Sequence, residues 1–347
     1  MNHLLQKIYS KQHLSFDESN QIFDQVIKGQ LTDIDIASLL ISLKMKGEQP
    51  EEIAGAAQAL RANAISFPEA NYITADSCGT GGSGMNTVNI STMVAFVLAE
   101  LKLPMVKHGN RSISSKCGSA DVLEHLGVKI DMSPSEAKQC LDKTRFCFLF
   151  APKFHPGVGN VMPVRNALKT RTMFNLLGPL INPAKPRFQL MGVYSPELCM
   201  PAAQTLQLAG CQSAMVVHSN GYDEITLHSP TSVVELIDGK LKAYTISHLD
   251  FELPQCNKEY IGGNDPQSNA EIFIDLLQGK LKTPKMIAIA NTVAANAGAL
   301  LKMTDKANSL KQGAEDALKI IRSGKAFVRL QSVIDFSRKL EGKSNED

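Results

Sequence analysis

Asp76-Ser77-Cys78-Gly79-Thr80-Gly81-Gly82-Ser83-Gly84 is a glycine-rich loop that follows a short predicted strand (residues 72–75) and precedes Asn89-Ile90-Ser91-Thr92. Glycines let backbone N–H groups close around an anion, and the free N–H groups of a helix start carry about half a positive charge. Residues 89–92 can begin the apolar helix that continues from Met93. The pattern predicts a phosphate-binding loop between a strand and a helix, the unit from which parallel α/β folds are built.

The same glycines also fit a dinucleotide-binding fingerprint. Gly79-x-Gly81-x-x-Gly84 matches G-x-G-x-x-G, in which the third glycine packs the helix on its strand and the second strand ends in an acid that binds the ribose. Here residues 85–89 separate the motif from the predicted helix, and the second strand is followed by Lys107. The missing acid argues against NAD, although Lys107 could meet the extra phosphate of NADP.

A second polar loop follows the next predicted strand, at residues 103–106. It reads Lys107-His108-Gly109-Asn110-Arg111-Ser112-Ile113-Ser114-Ser115-Lys116-Cys117-Gly118-Ser119 and leads into a short helix ending at Gly127. Between residues 101 and 120 the chain has four basic residues and no acidic one. Lys and Arg neutralise a polyphosphate, while hydroxyl and backbone N–H groups orient it. Two consecutive strand ends therefore predict one polyanion site.

The rest of the chain predicts helices on either side of a β-rich region. A capping box at Ser15, a cap at Thr32, a stop at Gly47 and a start at Pro50 indicate a small helical bundle over the first 66 residues. Further strands are predicted at residues 128–131, 146–150, 188–194 and 214–218, with a hairpin around Asp238-Gly239. Later helices are predicted from Ser133-Pro134, from Ser195-Pro196, and over residues 285–302 and 309–322.

The composition of the chain argues against nucleic acid and membrane as binding partners. The chain of 347 residues has a formal net charge of +2 and only 6% aromatic residues, so it lacks the field and the stacking platforms of a nucleic-acid binder. The longest apolar run, residues 93–99, is too short for a membrane span, and residues 1–7 lack the pattern of a secretion signal. Seven cysteines without a C-x-x-C pair indicate reduced thiols. We expect a cytoplasmic protein that binds neither nucleic acid nor membrane.

Taken together, the motifs match a known family. The chain resembles the anthranilate phosphoribosyltransferases of tryptophan biosynthesis over nearly its whole length, fading only near the C-terminus. The matching segments occur in order and are Gly79-Thr80-Gly81-Gly82, Asn89-Ile90-Ser91-Thr92, Lys107-His108-Gly109-Asn110-Arg111-Ser112, Met162-Pro163-Val164-Arg165, Arg171-Thr172-Met173-Phe174-Asn175-Leu176-Leu177-Gly178-Pro179-Leu180-Ile181-Asn182-Pro183 and His218-Ser219-Asn220-Gly221-Tyr222-Asp223-Glu224.

The resemblance implies a set of site residues for three ligands. Contacts to 5-phosphoribosyl diphosphate (PRPP) are implied for Gly79, Gly82, Ser83, Thr87, Asn89, Ile90, Ser91, Thr92, Lys107, His108, Gly109, Asn110, Arg111, Ser112, Ile113, Ser114, Ser115 and Ser119. Contacts to anthranilate are implied for Gly79, Asn110 and Arg165, and contacts to Mg²⁺, as a pair of ions per subunit, for Ser91, Asp223 and Glu224. Ser83 departs from the family, which usually has Asp there, so the dependence on metal or the affinity for PRPP is expected to differ in degree.

The resemblance also implies an architecture. We expect an α/β protein of the nucleoside phosphorylase and phosphoribosyltransferase type, with a small helical domain and a large α/β domain that has a mainly parallel central sheet. The small domain would comprise residues 1–70 with a later helical insertion near residues 165–185, and the large domain residues 71–347. The family is typically a homodimer, and the substrates would lie in the cleft between the two domains.

The implied reaction joins the anthranilate amine to C1 of the phosphoribosyl group and releases pyrophosphate. Electrostatic stabilisation of an oxocarbenium-like transition state matters more here than a covalent nucleophile. No general base is assigned, because an aromatic amine has a neutral lone pair at pH 7; His108 and His155 could accept a proton or pack on the aromatic ring. The alternatives are a pyrimidine nucleoside phosphorylase-like enzyme and a non-catalytic relative that binds nucleic acid.

Overall fold

The computed structural model describes residues 3–81, 84–112 and 116–344. Fifteen α-helices lie within these residues: α1 His3–Tyr9, α2 Phe16–Ile27, α3 Asp33–Lys46, α4 Pro50–Ala62, α5 Ile90–Glu100, α6 Ser119–His125, α7 Pro134–Thr144, α8 Ala151–Phe154, α9 Met162–Leu168, α10 Phe174–Leu180, α11 Cys199–Leu208, α12 Pro266–Leu277, α13 Pro284–Met303, α14 Leu310–Arg322 and α15 Lys325–Ser344. The strands are β1 Ala75–Gly79, β2 Met105–Gly109, β3 Phe146–Phe150, β4 Phe188–Gly192, β5 Ser213–His218, β6 Thr231–Ile237 and β7 Lys240–Ile246.

Helices α1 to α4 form the small N-terminal helical domain. Ser15 and Thr32 each accept a hydrogen bond from the third helical residue, and the side chain of that residue accepts one from the cap backbone, so both predicted caps are confirmed. Gly47 ends α3 with a φ of 86°, which favours glycine, and Pro50 opens α4. The division of the chain at residue 70 stays a prediction.

The large domain is built on one sheet with the strand order β3-β2-β1-β4-β5-β6-β7. The first five strands in this order pair in parallel, whereas β5, β6 and β7 pair antiparallel. The predicted hairpin at Asp238-Gly239 is confirmed, since both residues have positive φ between β6 and β7. Because parallel strands point the same way, β1, β2, β4 and β5 end at one edge of the sheet, where the predicted loops begin.

The two faces of the sheet are covered by different helices. Met191, Val193 and Val216 face a core shared with α1–α4, α10 and α11. Leu190, Met215 and Val217 face the other core, formed with α5, α6, α7 and α12–α15. Alternate residues of one strand therefore enter opposite cores, as the period of two requires. The fold class is confirmed as a helical domain plus an α/β domain with a mostly parallel sheet.

A helical insertion between β3 and β4 carries α9 and α10 and is bonded back to the sheet. The Asn182 amide donates to Asp76 Oδ2 (2.9 Å) and to the Val106 carbonyl (2.8 Å). The Gln189 amide donates to the Pro179 carbonyl at 2.6 Å. These bonds join the insertion to the first half of β1 and β2, and to β4.

Helix α13 is the central helix of the large domain. It is the one helix in the described part of the chain that is long and apolar enough to cross a membrane, and 89% of its most apolar window is buried inside the protein. It extends the prediction for residues 285–302 by one residue at each end.

Four strand predictions need correction, one in its existence and three in their bounds. Residues 128–131 alternate between apolar and polar, but they form no strand: Val128 and Ile130 enter the core directly, and the Lys129 N–H donates to Ser337 Oγ of α15 at 3.0 Å. The strands predicted at 72–75 and 103–106 begin and end later, at Ala75–Gly79 and Met105–Gly109, because their last residues are polar yet buried. Strand β4 ends at Gly192 rather than at residue 194.

Candidate functional site

The end of β1 lies beneath a buried lysine. Lys107 on β2 is only 2% exposed. Its ammonium group donates to the Ser77 carbonyl at 2.8 Å and to Ser91 Oγ at 3.0 Å. Burial lowers the pKa of Lys107, and the nearby charge of Asp76 opposes this effect. The lysine thus links β1, β2 and the start of α5 below the predicted anion site.

The glycine loop leaves the sheet at Gly79 and packs directly against the loop of Asp223. The Gly81 N–H donates to Asp223 Oδ2 at 2.9 Å, and Gly81 has a φ of 64°. A Cβ at Gly79 would overlap the same carboxylate, and a Cβ at Gly192 would overlap the Asp223 carbonyl. Glycines at the ends of β1 and β4 therefore make the room in which Asp223 sits. Gly82 and Ser83, predicted to contact PRPP, lie outside the described residues.

The first residues of α5 do not form a side-chain cap within the described structure. Asn89 occupies the N-cap position, but its side chain makes no cap bond. Its amide nitrogen donates instead to the Cys117 carbonyl at 3.3 Å, and its amide oxygen accepts from the Asn269 amide at 3.0 Å. Ile90 is buried in the core, and the buried Thr92 hydroxyl has no partner within the described residues. Any contact of Ile90 with a ligand in the cleft is thus expected to use its backbone.

The first three residues of the second predicted loop, 107–109, form the end of β2, and hydrogen bonds close the part that follows Gly109. Ser119 Oγ donates to the Asn110 carbonyl at 3.4 Å, and a Cβ at Gly109 would overlap that hydroxyl. The Ser112 N–H donates to Asp121 Oδ2 at 2.9 Å. Ile113, Ser114 and Ser115 lie outside the described residues.

Arg111 is held by carboxylates that follow the loop. Its guanidinium forms a two-pronged ion pair with Glu124 at 2.7 and 2.9 Å and a longer one with Asp121 at 3.3 Å. These contacts raise the pKa of Arg111 above its ordinary value. Arg111 would therefore have to exchange Glu124 for a phosphate in order to bind PRPP.

The two loops contact each other, as their positions at neighbouring strand ends predict. The Lys116 N–H donates to Asn86 Oδ1 at 3.3 Å. Thr87 forms an isolated bridge with Gly262, which ties the first loop to the segment before α12. The structure thus brings the first loop, the second loop and Asp223 together at one sheet edge.

Asp223 and Glu224 are carried by a tight turn at the end of β5. Ser219 and Tyr222 exchange backbone hydrogen bonds, and the central residues Asn220 and Gly221 both have positive φ. This is the conformation that an Asn-Gly pair favours. His218 supports the turn, because its Nδ1–H donates to the Val193 carbonyl at 2.8 Å and its Nε2 accepts from the Gly221 N–H at 3.0 Å.

Asp223 and Glu224 form no ion pair with a basic side chain among the described residues. Burial, followed by the charge of Asp223, raises the pKa of Glu224 to about 8, against a smaller opposing effect of the Thr87 hydroxyl. Within the described residues, Glu224 Oε1 is buried and accepts no hydrogen bond. No group of three or more His, Cys, Asp or Glu residues suited to a metal occurs in the described ranges. The pair therefore fits a hard cation that takes its other ligands from water and substrate oxygens.

Arg165, on α9 of the insertion, is a half-buried guanidinium among neutral groups. It lies over the Phe174 ring, 5.4 Å from the centroid, and its Nη1 approaches Met162 Sδ at 3.9 Å. Burial lowers its pKa below the ordinary value. No carboxylate within the described residues lies within ion-pair distance of Arg165. A planar aromatic carboxylate would supply the missing charge.

Comparison with known proteins relates the whole chain to one family of enzymes. Residues 71–327 match the α/β domain of a glycosyl transferase family, and residues 2–64 match the helical bundle domain of such a family. A curated relative, the anthranilate phosphoribosyltransferase of Pseudoalteromonas translucida, is 49% identical over 333 residues, which cover 96% of this chain and 93% of the relative.

The chain belongs to the anthranilate phosphoribosyltransferase family.

Two solved structures of this family have the same fold. The enzyme from Thermus thermophilus superposes with a TM-score of 0.90 at 36% identity, covering 96% of this chain and 99% of that one. The enzyme from Saccharomyces cerevisiae in complex with PRPP and Mg superposes with a TM-score of 0.89 at 26% identity, covering 97% of each chain.

A pair of buried histidines lies beside the insertion in this family member. The His108 Nδ1–H donates to the Gly178 carbonyl at 3.1 Å, and the rings of His108 and His155 meet edge to face with centroids 5.2 Å apart. Burial and then the neighbouring His155 lower the pKa of His108 to about 3, and burial lowers the pKa of His155 to about 4. Both rings are therefore neutral at pH 7.

This pair predicts a loss of stability in mild acid. The unfolded chain binds a proton at each histidine near pH 6.5, whereas the folded chain does not, so the free energy of unfolding falls as the pH falls below about 6.5. Each histidine contributes a slope of up to about 1.4 kcal/mol per pH unit. Urea unfolding between about pH 5 and pH 7.5 should give a shallower slope for His155→Phe than for the wild type. The exposed His125→Gln is the control and should keep the wild-type slope; equal slopes for all three would contradict the prediction.

No role is assigned from the sequence to two residues that support the site. His218 lies in a family motif without an assigned role, and the structure makes it the brace of the Asn220-Gly221 turn. Asn182 likewise lies in a family motif, and it joins the insertion to Asp76. An Asn-Gly turn preceded by a histidine is the signal that could have suggested the first of these.

Proposed function

We propose that this protein transfers the phosphoribosyl group of PRPP to the amine of anthranilate, giving N-(5-phosphoribosyl)anthranilate and pyrophosphate for tryptophan biosynthesis. The observation that carries the proposal is the contact of the glycine loop with Asp223, at 2.9 Å from the Gly81 nitrogen to Asp223 Oδ2. This contact supports the proposal, because the loop proposed to bind the diphosphate then lies beside the carboxylates proposed to bind the metal. The family membership points to the same reaction, and it supports neither a nucleoside phosphorylase nor a nucleic-acid binder.

PRPP is proposed to lie across the ends of β1 and β2. Gly79, Gly82, Ser83, Thr87, residues 89–92, residues 107–115 and Ser119 would surround it. Two hydrogen bonds between the loops support this placement. One joins Asn89 to Cys117, and the other joins Asn86 to Lys116. Backbone N–H groups and hydroxyls at these strand ends can orient phosphate oxygens, and Lys107 supplies a positive charge beneath them.

Magnesium is proposed to bind through Asp223, Glu224 and Ser91, as a pair of ions per subunit. The buried, unpartnered oxygen of Glu224 and its raised pKa support a cation at this place. Bound Mg²⁺ would supply positive charge that stabilises the departing pyrophosphate. The Ser91 hydroxyl would have to bind the metal while it also accepts a hydrogen bond from Lys107.

Anthranilate is proposed to bind between Arg165, Asn110 and Gly79. The guanidinium would hold the carboxylate through a two-pronged contact, for which its planar fork is suited. The amine of anthranilate is neutral at pH 7 and can attack C1 of the ribose without prior loss of a proton. Positioning by Arg165 then contributes through proximity, and no residue is assigned as a general base.

The decisive experiment mixes the protein with anthranilate, PRPP and Mg²⁺ and follows the loss of anthranilate fluorescence. We expect a loss that requires all three components and that stops when EDTA is added. Folded protein that leaves the fluorescence unchanged across a Mg²⁺ titration would reject the proposed reaction.

We also propose a cytoplasmic homodimer. All seven cysteines are free thiols, as a reducing compartment requires. The outer face of α3 carries an apolar stripe, Ile34, Ile41 and Met45, of which Ile34 and Met45 are each 80% exposed, whereas Ala37 packs against the inner core. A helix that is apolar on both faces is usually buried on both, so this stripe is the surface we assign to the partner subunit.

Charges on this stripe are expected to separate the subunits. Ile34→Glu combined with Met45→Glu places two carboxylates in the assigned interface, where burial of a charge is costly. Light scattering after size exclusion should give the dimer mass for the wild type and the monomer mass for the variant. Leu249→Glu, at another exposed apolar residue, is the control and should leave the mass unchanged. A dimeric double variant would exclude α3 from the interface.

A further inference from the structure

Asn296 is a buried asparagine in the middle of the apolar helix α13. It is 2% exposed. Its amide nitrogen donates to the Ile225 carbonyl and to the Thr292 carbonyl, each at 2.8 Å, and its amide oxygen accepts from the Ile225 N–H at 3.1 Å. Most of the hydrogen-bonding capacity of this side chain is thus used on a single residue outside its own helix.

Ile225 directly follows Glu224 in the chain. Its side chain is buried in the core, so its backbone N–H and carbonyl cannot rely on water. A buried backbone group without a partner costs about 1–3 kcal/mol. The Asn296 amide satisfies both groups at once, as a neighbouring strand would do, and in this way fixes the backbone immediately after the two carboxylates.

The other side of the same segment is fixed by the sheet. A Cβ at Gly192 would overlap the Asp223 carbonyl, and a Cβ at Gly79 would overlap the Asp223 carboxylate, so the strand ends contact residue 223 without any gap. Asp223 and Glu224 are therefore held between β1 and β4 on one side and α13 on the other. Loss of the α13 contact would release the side of the segment that carries Glu224.

We propose that Asn296 is a positioning residue that sets the place of Asp223 and Glu224 for the metal and the diphosphate. The inference rests on the proposed function, since it assumes that these carboxylates bind Mg²⁺. Asn296 bonds the backbone of residue 225 and not the substrate, so it acts through the carboxylates. Residues that orient metal ligands change metal affinity by about 10–100-fold when they are replaced.

A matched control lies on the same helix. Asn291 is also an asparagine of α13 and is 5% exposed, but its side chain has no hydrogen bond within the described residues. Asn296→Leu and Asn291→Leu therefore make the same chemical change at similar burial, and only the first removes contacts to the carboxylate segment. Asn296→Ala is a second test variant that keeps helix propensity and admits water if the leucine does not fit.

Two measurements test the role, and the KM for anthranilate serves as the control measurement. The first is the affinity for Mn²⁺ in the presence of PRPP, measured by electron paramagnetic resonance, and the second is hydrogen exchange of the Ile225 amide, measured by NMR. Asn296→Leu or Asn296→Ala should weaken Mn²⁺ binding about tenfold or more, speed exchange at Ile225 and leave the KM for anthranilate within twofold. Asn291→Leu should change none of these.

Two results would overturn the role of Asn296, and a third would overturn the proposed reaction without deciding that role. If Ile225 loses its protection while Mn²⁺ affinity stays the same, Asn296 does not position the metal ligands. If Asn296→Leu and Asn291→Leu weaken Mn²⁺ binding equally, the effect comes from general packing and the proposal fails. If the wild type binds Mn²⁺ with PRPP but does not consume anthranilate, the proposed reaction fails, and the comparison of Mn²⁺ affinities still decides the role of Asn296.

Discussion

Asp223→Asn combined with Glu224→Gln is expected to lower kcat about a thousandfold or more while the protein stays folded. The amides keep the size of both side chains and remove both negative charges, so the hard cation loses its two charged protein ligands and keeps only the Ser91 hydroxyl. A metal ion that stabilises a leaving group lowers the barrier by several kcal/mol. Each 1.36 kcal/mol is a factor of ten in rate, so the loss of about 4 kcal/mol lowers the rate about a thousandfold.

The thermal midpoint of this variant should equal or exceed that of the metal-free wild type. Burial raises the pKa of Glu224, so its ionised form is unfavourable in the folded protein when no cation is present. Removing the charge removes that cost. Steady-state turnover and calorimetry in EDTA measure the two effects. Asp238→Asn with Glu271→Gln, two exposed carboxylates, is the control; full activity in the Asp223 and Glu224 variant would refute the ligand assignment.

Arg165→Ala is expected to raise the KM for anthranilate about a hundredfold and to leave the KM for PRPP within twofold. The guanidinium is half-buried and faces no carboxylate of the described chain, so its charge is available to the substrate. A charge-assisted hydrogen bond contributes about 1.5–3 kcal/mol, and about 1.4 kcal/mol is a tenfold change in affinity. The KM for anthranilate of Arg165→Lys should lie between those of the wild type and Arg165→Ala, since lysine keeps the positive charge but cannot make the two-pronged contact.

Initial rates with each substrate varied in turn measure this split. Arg338→Ala, on the exposed side of α15, is the control and should leave both KM values unchanged. An equal rise of both KM values in Arg165→Ala would remove the assigned role, because a residue specific for the aromatic acid cannot weaken both substrates alike.

Local chemistry made the helices predictable. Ser15, Thr32 and Gly47 act within a few residues of their own position, through caps and a left-handed turn, so a single sequence contains all the information. The hairpin at Asp238-Gly239 is predictable for the same reason.

The ends of β1 and β2 were not predictable in this way. Asp76 is polar and yet buried, because its carboxylate accepts from Asn182, which lies 106 residues away. Lys107 is likewise buried through the Ser77 carbonyl. A strand whose last residues are polar looks like a loop until its partners are known. Conversely, Val128 and Ile130 alternate as a strand does, although no neighbouring strand of the described chain pairs with them.

The sequence predicted the charge of the second loop only in part. The sequence between residues 101 and 120 has no acid, which predicts free positive charge. Glu124 lies four residues beyond this window, yet it pairs with Arg111 because α6 turns back over the loop. The predicted site residues came from the family resemblance, and their roles stay predictions; Asn296, in an otherwise apolar helix, carried no pattern that pointed to Asp223.

The strand order has a consequence for synthesis of the chain on the ribosome. Strand β1 pairs along its whole length with β4, from Ala75 opposite Phe188 to Gly79 opposite Gly192. The nascent protein therefore holds the first anion loop on an incomplete sheet until roughly a hundred further residues have been translated. During that interval α5 lacks the cover of α13, α14 and α15, so cellular yield is expected to depend on chaperones that shield an apolar helix.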